Sequence, residues 1–166
     1  MLAITAMVDE LEFEQQRYPP EALRALGRGS WPMLRTLRLT RNFSYRRAYE
    51  YDMEVPDTLP EFDAALLFEE LDPARAPRLE VLTIDQCTAN VKLAEALVRS
   101  PMTGQLRELE IVGMDLDIGF VERLRRAPFA ALERLKLEGP DLPRDTAERL
   151  EGLATRVKSV PWTRLE

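Results

Sequence analysis

The sequence predicts an α/β fold in which a curved parallel β-sheet forms the concave side and helices form the convex side. The first observation is an apolar pattern, L-x-x-L-x-L, that is clearest at 106–111 and recurs five more times. The second is its spacing, because successive copies begin 26, 45, 27, 26 and 25 residues apart. The third is the amphipathic character of the segments between the copies. The chain of 166 residues fits one domain, 1–166, of about six repeats with an insertion at 43–58.

Each copy of the pattern predicts one strand. Its last four residues alternate, so the second and third apolar side chains point to one side and the residues between them to the other. The six copies are Val8–Leu11–Phe13, Leu34–Leu37–Leu39, Leu79–Leu82–Ile84, Leu106–Leu109–Ile111, Leu132–Leu135–Leu137 and, more loosely, Val157–Val160–Trp162. Parallel neighbours require a crossover, which is normally a right-handed helical connection. A repeat of this length is long enough for a strand and a helix.

Helix signals occur between the predicted strands. The first helix opens with Pro20 and is expected to stop at Gly27, because proline suits a first turn and glycine a helix end. The remaining signals are a stripe of apolar residues over 61–71, caps at Asn90 and Asp117, and a start at Asp145 or Thr146.

The ninth position of the repeat is Asn42 in the second copy and Cys87 in the third, the two residue types favoured there. Gln16, Met114 and Pro140 occupy this position in other copies. The pattern resembles the leucine-rich-repeat family, and its strand-plus-helix units are nearest to the ribonuclease-inhibitor-like class. The resemblance covers nearly the whole chain and implies a solenoid. Because members of this family usually bind other proteins, it also implies a protein-binding role.

The insertion at 43–58 interrupts the period. From Arg47 to Val55, large side chains alternate with small or acidic ones, which predicts an extended arm or half of a hairpin. Three tyrosines and the Arg46–Arg47 pair give this segment an unusual composition. Two interpretations stay open: a recognition element, or a structural cover whose aromatic side chains fold back on the sheet or a helix.

Charges alternate along the exposed strand positions. The second position reads Asp9, Arg35, Glu80, Arg107, Glu133, Lys158, and the fifth reads Glu12, Arg38, Thr83, Glu110, Lys136, Pro161. Residues at one position lie about 4.8 Å apart in neighbouring parallel strands, so opposite charges would meet. The pattern predicts a face that neutralises its own charge and holds no stripe of one sign for a polyanion.

Composition argues against several function classes. The formal net charge of −6 gives no reason to expect nucleic acid, and the absence of an 18-residue apolar run argues against a membrane span. One cysteine is compatible with a reducing, cytoplasmic location. With no histidine there is no Ser–His–Asp triad, and the seven glycines form no phosphate-binding motif. We therefore expect no cofactor, no metal and no enzymatic activity.

These observations favour a non-catalytic protein-interaction module that uses the concave strand face and the 43–58 insertion. Tyrosine and arginine often anchor interfaces, so the expected contact centre is Arg35, Arg38, Arg41, Tyr45, Arg46 and Tyr49. One alternative is a structural or regulatory repeat domain of a larger polypeptide. Another is a hydrolase that uses carboxylates alone. The pattern identifies neither the partner protein nor the oligomeric state.

Overall fold

The computed structural model describes residues 8–15, 18–41, 45–53 and 62–162, and shows a mixed α/β fold. Its strands are β1 (Glu10–Gln15), β2 (Thr36–Arg41), β3 (Val81–Thr88), β4 (Glu108–Met114), β5 (Arg134–Gly139) and β6 (Arg156–Pro161). They form an open six-stranded sheet in which every neighbouring pair is parallel. The order of the strands in the sheet is their order in the chain.

The strand register repeats from one unit to the next. Leu37 is opposite Leu82, Leu82 is opposite Leu109, and Leu109 is opposite Leu135. All four leucines are buried, as the repeat pattern predicts. The expected parallel pairing of the units that begin at Leu79 and Leu106 is confirmed.

The sixth strand does not follow the predicted alignment. Leu135 pairs with Val157, not with Val160, so this strand enters the sheet three residues earlier than its apolar pattern suggests. The connection from β5 contains only a four-residue helix, which shortens the last unit. Lys158 therefore lies opposite Lys136, in the place assigned to Pro161. The predicted alternation of charge fails at this strand.

Helices connect the strands. They are α1 (Pro20–Arg28), α2 (Tyr45–Glu50), α3 (Ala65–Phe68), α4 (Val91–Arg99), α5 (Ile118–Leu124) and α6 (Thr146–Arg149), with a 3₁₀ turn at Pro101–Gly104. Contacts run from α1 to α3, α4, α5 and α6 in turn, so these five helices are neighbours in the same order as the strands. Their buried side chains join those of the strands in one apolar core, which includes Leu23, Leu93 and Phe120.

Two of the expected caps are confirmed. The side chain of Asn90 accepts a hydrogen bond from the Lys92 amide at 3.0 Å, and that of Asp117 accepts one from the Phe120 amide at 2.9 Å. Each cap satisfies an amide that has no partner within its helix. Asp145 makes no such cap, and its carboxylate instead pairs with Arg149 at 2.8 Å.

The helix predictions at Gly27 and at 61–71 are wrong in extent. Gly27 lies inside α1 and is buried against α3, where a Cβ atom would stand 2.7 Å from the Leu67 carbonyl oxygen. Glycine is needed here for close helix packing, not for a helix end. Only Ala65–Phe68 of the second segment is α-helical.

The insertion is not an extended arm in its described part. Residues Tyr45–Glu50 form α2, and Asp52 takes a left-handed conformation with φ of 51°. The Met53 amide donates to the Ala48 carbonyl at 2.8 Å, which is the closing bond of a Schellman motif. The buried side chain of Ala48 indicates that packing outweighs the two-residue alternation of this segment. Positions 43–44 and 54–58 of the insertion, like Asn42 and Gln16, lie outside the described residues.

Within the described part of the chain, no helix is both long and apolar enough to cross a membrane.

Leu109 provides a test of the repeated core position. It is 1% exposed in the central row of the sheet. We expect Leu109→Ala to lower the free energy of unfolding by about 2–5 kcal/mol, because burial is lost and a cavity forms. Urea denaturation measures the change. The matched control, Ile118→Ala, removes an apolar side chain that is 44% exposed and should change stability by less than about 0.5 kcal/mol. Equal effects from the two substitutions would contradict a buried central row.

Candidate functional site

The face of the sheet opposite the apolar core carries three rows of side chains, which we call the polar strand face. The first row is Glu10, Thr36, Val81, Glu108, Arg134, Arg156. The second is Glu12, Arg38, Thr83, Glu110, Lys136, Lys158. The third, at the carboxyl ends of the strands, is Glu14, Thr40, Asp85, Val112, Glu138, Val160. Because parallel strands are in register, each row runs across the sheet.

Ion pairs join neighbouring strands on this face. Arg38 Nε lies 3.0 Å from Glu10 Oε1, and Arg134 pairs with Glu108. Lys136 Nζ lies 2.5 Å from Glu110 Oε1 and 3.4 Å from Glu138 Oε2. Partial desolvation opposes protonation of Lys136, but hydrogen bonds and charge from these two carboxylates raise its pKa overall. Exposed pairs of this kind stabilise only weakly, and they favour one register over others.

The first two rows enclose a shallow groove of about 310 Å³. Arg38 and Thr83 line one end of it, and the basic side chains of β5 and β6 line the other. Those basic side chains are Arg134, Lys136, Arg156 and Lys158. Because Arg134 and Lys136 pair with Glu108 and Glu110, the groove runs from a paired region to one that ends in the cations Arg156 and Lys158.

The strand β3 has an irregularity in the third row. Its register with β4 shifts between Asp85 and Cys87, and Gln86 takes a φ of 60°. The Gln86 side chain turns back and donates to Asp85 Oδ1 at 2.8 Å. Desolvation raises the pKa of Asp85, the hydrogen bond from Gln86 opposes this, and the charges of Glu110 and Glu138 add to the rise.

The helix α2 lies across the carboxyl end of the polar strand face. It contacts β4, and the Tyr49 ring stands 6.0 Å from the Trp162 ring, centroid to centroid. Trp162 Nε1 donates to Glu138 Oε1 at 3.2 Å. The indole of Trp162 therefore links the helix α2 to the third row of the polar strand face. Val112 and Glu138 point to this face, yet both are only 6% exposed. The described part of the insertion thus covers the sheet, in agreement with the cover interpretation.

Two residues of the predicted contact centre, Arg35 and Arg38, are at least partly exposed. Arg38 is in the second row, where it pairs with Glu10 and donates to Thr83 Oγ1 at 3.4 Å. Arg35, just before β2, is exposed and lies 3.5 Å from Asp9. Both cations are already partnered within the chain.

Arg41, in contrast to Arg35 and Arg38, is buried. Its position relative to Arg38 puts it on the opposite side of the strand, where it is 2% exposed. Its guanidinium carbon lies 5.6 Å from the centroid of the Phe62 ring, which in turn stacks on Tyr18 at 4.3 Å. The Tyr18 hydroxyl bridges the carbonyl oxygens of Phe13 and Thr40 at 2.5 and 2.7 Å. Arg41 therefore belongs to the packing beneath the sheet and not to a contact surface.

The three insertion residues of the predicted centre are all in α2. Tyr49 is half-buried against Trp162, as described above. The side chains of Tyr45 and Arg46 lie outside the described part of the structure. Trp162 packs against Tyr49, whereas Phe62 and Tyr18 stack on each other near Arg41, and none of the three was among the predicted site residues. Their aromatic character was the available signal, and the long sequence separation between the partners of each contact hid these contacts.

Cys87 is fully buried, and this burial raises the pKa of its thiol. Such a group packs as a small apolar side chain. Within the ranges that the structure describes, no cluster of three or more His, Cys, Asp or Glu side chains could hold a metal ion.

Comparison with known proteins gives no further guide to this site. No protein-family model, curated protein or solved structure matches the chain.

The contact between α2 and Trp162 can be tested with a tyrosine pair. Tyr49→Ala removes a half-buried ring and should lower the free energy of unfolding by about 1–2 kcal/mol. Tyr51→Ala, in the same segment, removes a ring that is 61% exposed and should change it by less than about 0.5 kcal/mol. Thermal and urea unfolding measure both. If the two variants are equally stable, α2 does not cover the sheet through Tyr49.

The raised pKa of Asp85 makes a second prediction, on pH dependence. An acid whose folded-state pKa is raised favours folding while it is protonated, and this contribution is lost as pH rises through the folded-state value. Asp85→Asn should therefore increase stability near pH 7, and the gain should disappear below about pH 4, where aspartate is protonated even in the unfolded chain. Urea unfolding across this range tests it. Asp141→Asn, at an exposed position, is the control. A loss of stability in Asp85→Asn at neutral pH would contradict the prediction.

Proposed function

We propose that this chain is a leucine-rich-repeat solenoid that acts as a non-catalytic protein-interaction module, with the polar strand face as its binding surface. The sheet would curve so that this face is concave and the helices are convex. The sequential strand order, the shared register and the matching order of helices support this reading. Each unit then contacts mainly its neighbours, as in repeat proteins.

The observation that carries the binding proposal is the groove across the first two rows. It is shallow and open along several strands, which suits an extended protein segment or a convex protein surface better than a small molecule. Its lining changes from the Arg38 region to Arg156 and Lys158 on β6, so a partner with acidic groups over β6 would be complementary. The covering helix α2 would border the surface at the carboxyl ends of the strands.

The contact centre that we propose is smaller than the one expected from sequence. It keeps Arg38 and adds Thr83, Lys136 and Lys158, because these line the groove. Arg41 is omitted because it is buried. A carboxylate-only hydrolase is less well supported, since Glu110 and Glu138 are engaged by Lys136, and Asp85 by Gln86.

A matched pair of variants tests the binding surface. Thr83→Arg places a large side chain in the groove, next to Arg38 and Glu110 in the second row. Ile118→Arg places the same side chain on an exposed position of α5 in the helix layer. With immobilised protein and quantitative capture from native lysate, a true partner should be retained by the wild type and by Ile118→Arg and reduced at least about tenfold by Thr83→Arg.

Circular dichroism melting of both variants controls for folding. Equal retention by all three proteins would place binding elsewhere and contradict the proposal. Capture lost with both variants at normal melting temperatures would also contradict it, because the helix layer would then contribute to binding.

A further inference from the structure

The two outermost strands carry opposite charges on the same face. On β1, Glu10 and Glu12 are in the first and second rows, and on β6, Arg156 and Lys158 occupy those rows. Among the described residues, Glu12, Arg156 and Lys158 form no ion pair, whereas Glu10 pairs with Arg38. One edge of the sheet therefore ends in acids and the other in bases.

The rows define what a next strand beside β6 would need. A parallel strand in the same register would place its first-row residue opposite Arg156 and its second-row residue opposite Lys158. The chain already contains this arrangement between β4 and β5, where Glu108 pairs with Arg134 and Glu110 pairs with Lys136 in these two rows. The strand β1, with Glu10 and Glu12, has the required charges at the required spacing.

The described residues also leave the apolar core partly uncovered at both ends. At the first end, Phe13, Leu26 and Trp31 line an apolar hollow of about 450 Å³. At the last end, Leu153, Ala154 and Val157 are only partly buried against the core. In a repeat stack, each such end is normally covered by a neighbouring unit or a cap. The two ends thus expose complementary surfaces, because stacking would bury apolar groups while pairing charges.

We propose that a second copy of this chain docks on these edges head to tail, so that β6 of one copy pairs in parallel with β1 of the next. Both outer strands have one side without a neighbouring strand among the described residues. Pro161 lacks an amide hydrogen, but it is the last residue of β6 and removes only the final ladder bond. Such a contact uses different surfaces on the two copies, so it builds a ring or an open filament and not a twofold dimer.

A charge-swap cycle tests this proposal. Sedimentation velocity of the full chain at about 0.05 M salt should show mass that grows with concentration beyond a dimer, and about 0.5 M salt should weaken it. Lys158→Glu and Glu12→Lys each place like charges at the junction and should weaken self-association at least about tenfold. An equimolar mixture of the two variants should recover it, because every junction between unlike variants again pairs an acid with a base.

Controls separate charge at the edges from net charge and from folding. Lys92→Glu makes the same change in net charge as Lys158→Glu on an exposed position of α4, and should leave association unchanged. Glu12→Gln removes the acid without placing a cation beside Arg38, so it tests the same edge if Glu12→Lys is poorly folded.

A chain that stays monomeric at all concentrations at low salt would overturn the proposal. So would association that survives both charge reversals, or a mixture that associates no better than its components. Failure here leaves binding of another protein in the groove testable by Thr83→Arg, so the two proposals fail separately.

Discussion

The structure depends on a register that six parallel strands share up to the bulge at Gln86. In a strand, side chains alternate with a period of two, so a slip of one residue would exchange the buried and exposed faces. Here the row through Leu37, Leu82, Leu109 and Leu135 is fixed on the core side. Its burial is worth far more than any surface pair, at about 25 cal/mol per Å² of apolar area. The charged rows on the other face follow from this choice.

The same register gives the ion pairs their spacing. Glu108 with Arg134 and Glu110 with Lys136 are both 26 residues apart, the length of one repeat. The helix layer shows the same relation, because Glu95 pairs with Arg123 on the next helix. Repetition in sequence therefore becomes adjacency in space. The same rows explain why the charges of β1 and β6 matter. The acids of β1 and the bases of β6 occupy the row positions at which the interior strands β4 and β5 form ion pairs.

The structure at the carboxyl ends of the strands is determined more by local packing than by the repeated sequence pattern. The bulge at Gln86, the helix α2 and the indole of Trp162 all lie at this end, where Glu138 is buried. A buried carboxylate is tolerated because Lys136 and the indole nitrogen supply partners. Function on this face would centre on the first two rows, since Val112 and Glu138 in the third row are buried.

The sequence was sufficient for the α/β class, the parallel strands, the buried leucine rows and the caps at Asn90 and Asp117, because each depends on local pattern. The burial of Arg41 could have been predicted too, since it is three residues from Arg38 and must face the other way in a strand. The helical form of Tyr45–Glu50 could not, because it depends on Ala48 and Tyr49 finding the sheet and Trp162. The start of β6 could not be predicted either. Within 154–162, either Val157 or Val160 could lie opposite Leu135, and the short connection through α6 favours Val157.

That last choice allows the most direct test of a continuous register. Nuclear Overhauser effects between neighbouring strands in a labelled sample report which residue of β6 is opposite Leu135. The register predicts contacts of Val157 with Leu135 and of Lys158 with Lys136. Contacts of Val160 with Leu135 would restore the alignment of the bare apolar pattern, and would contradict the pairing of β5 with β6 that completes the rows across the sheet.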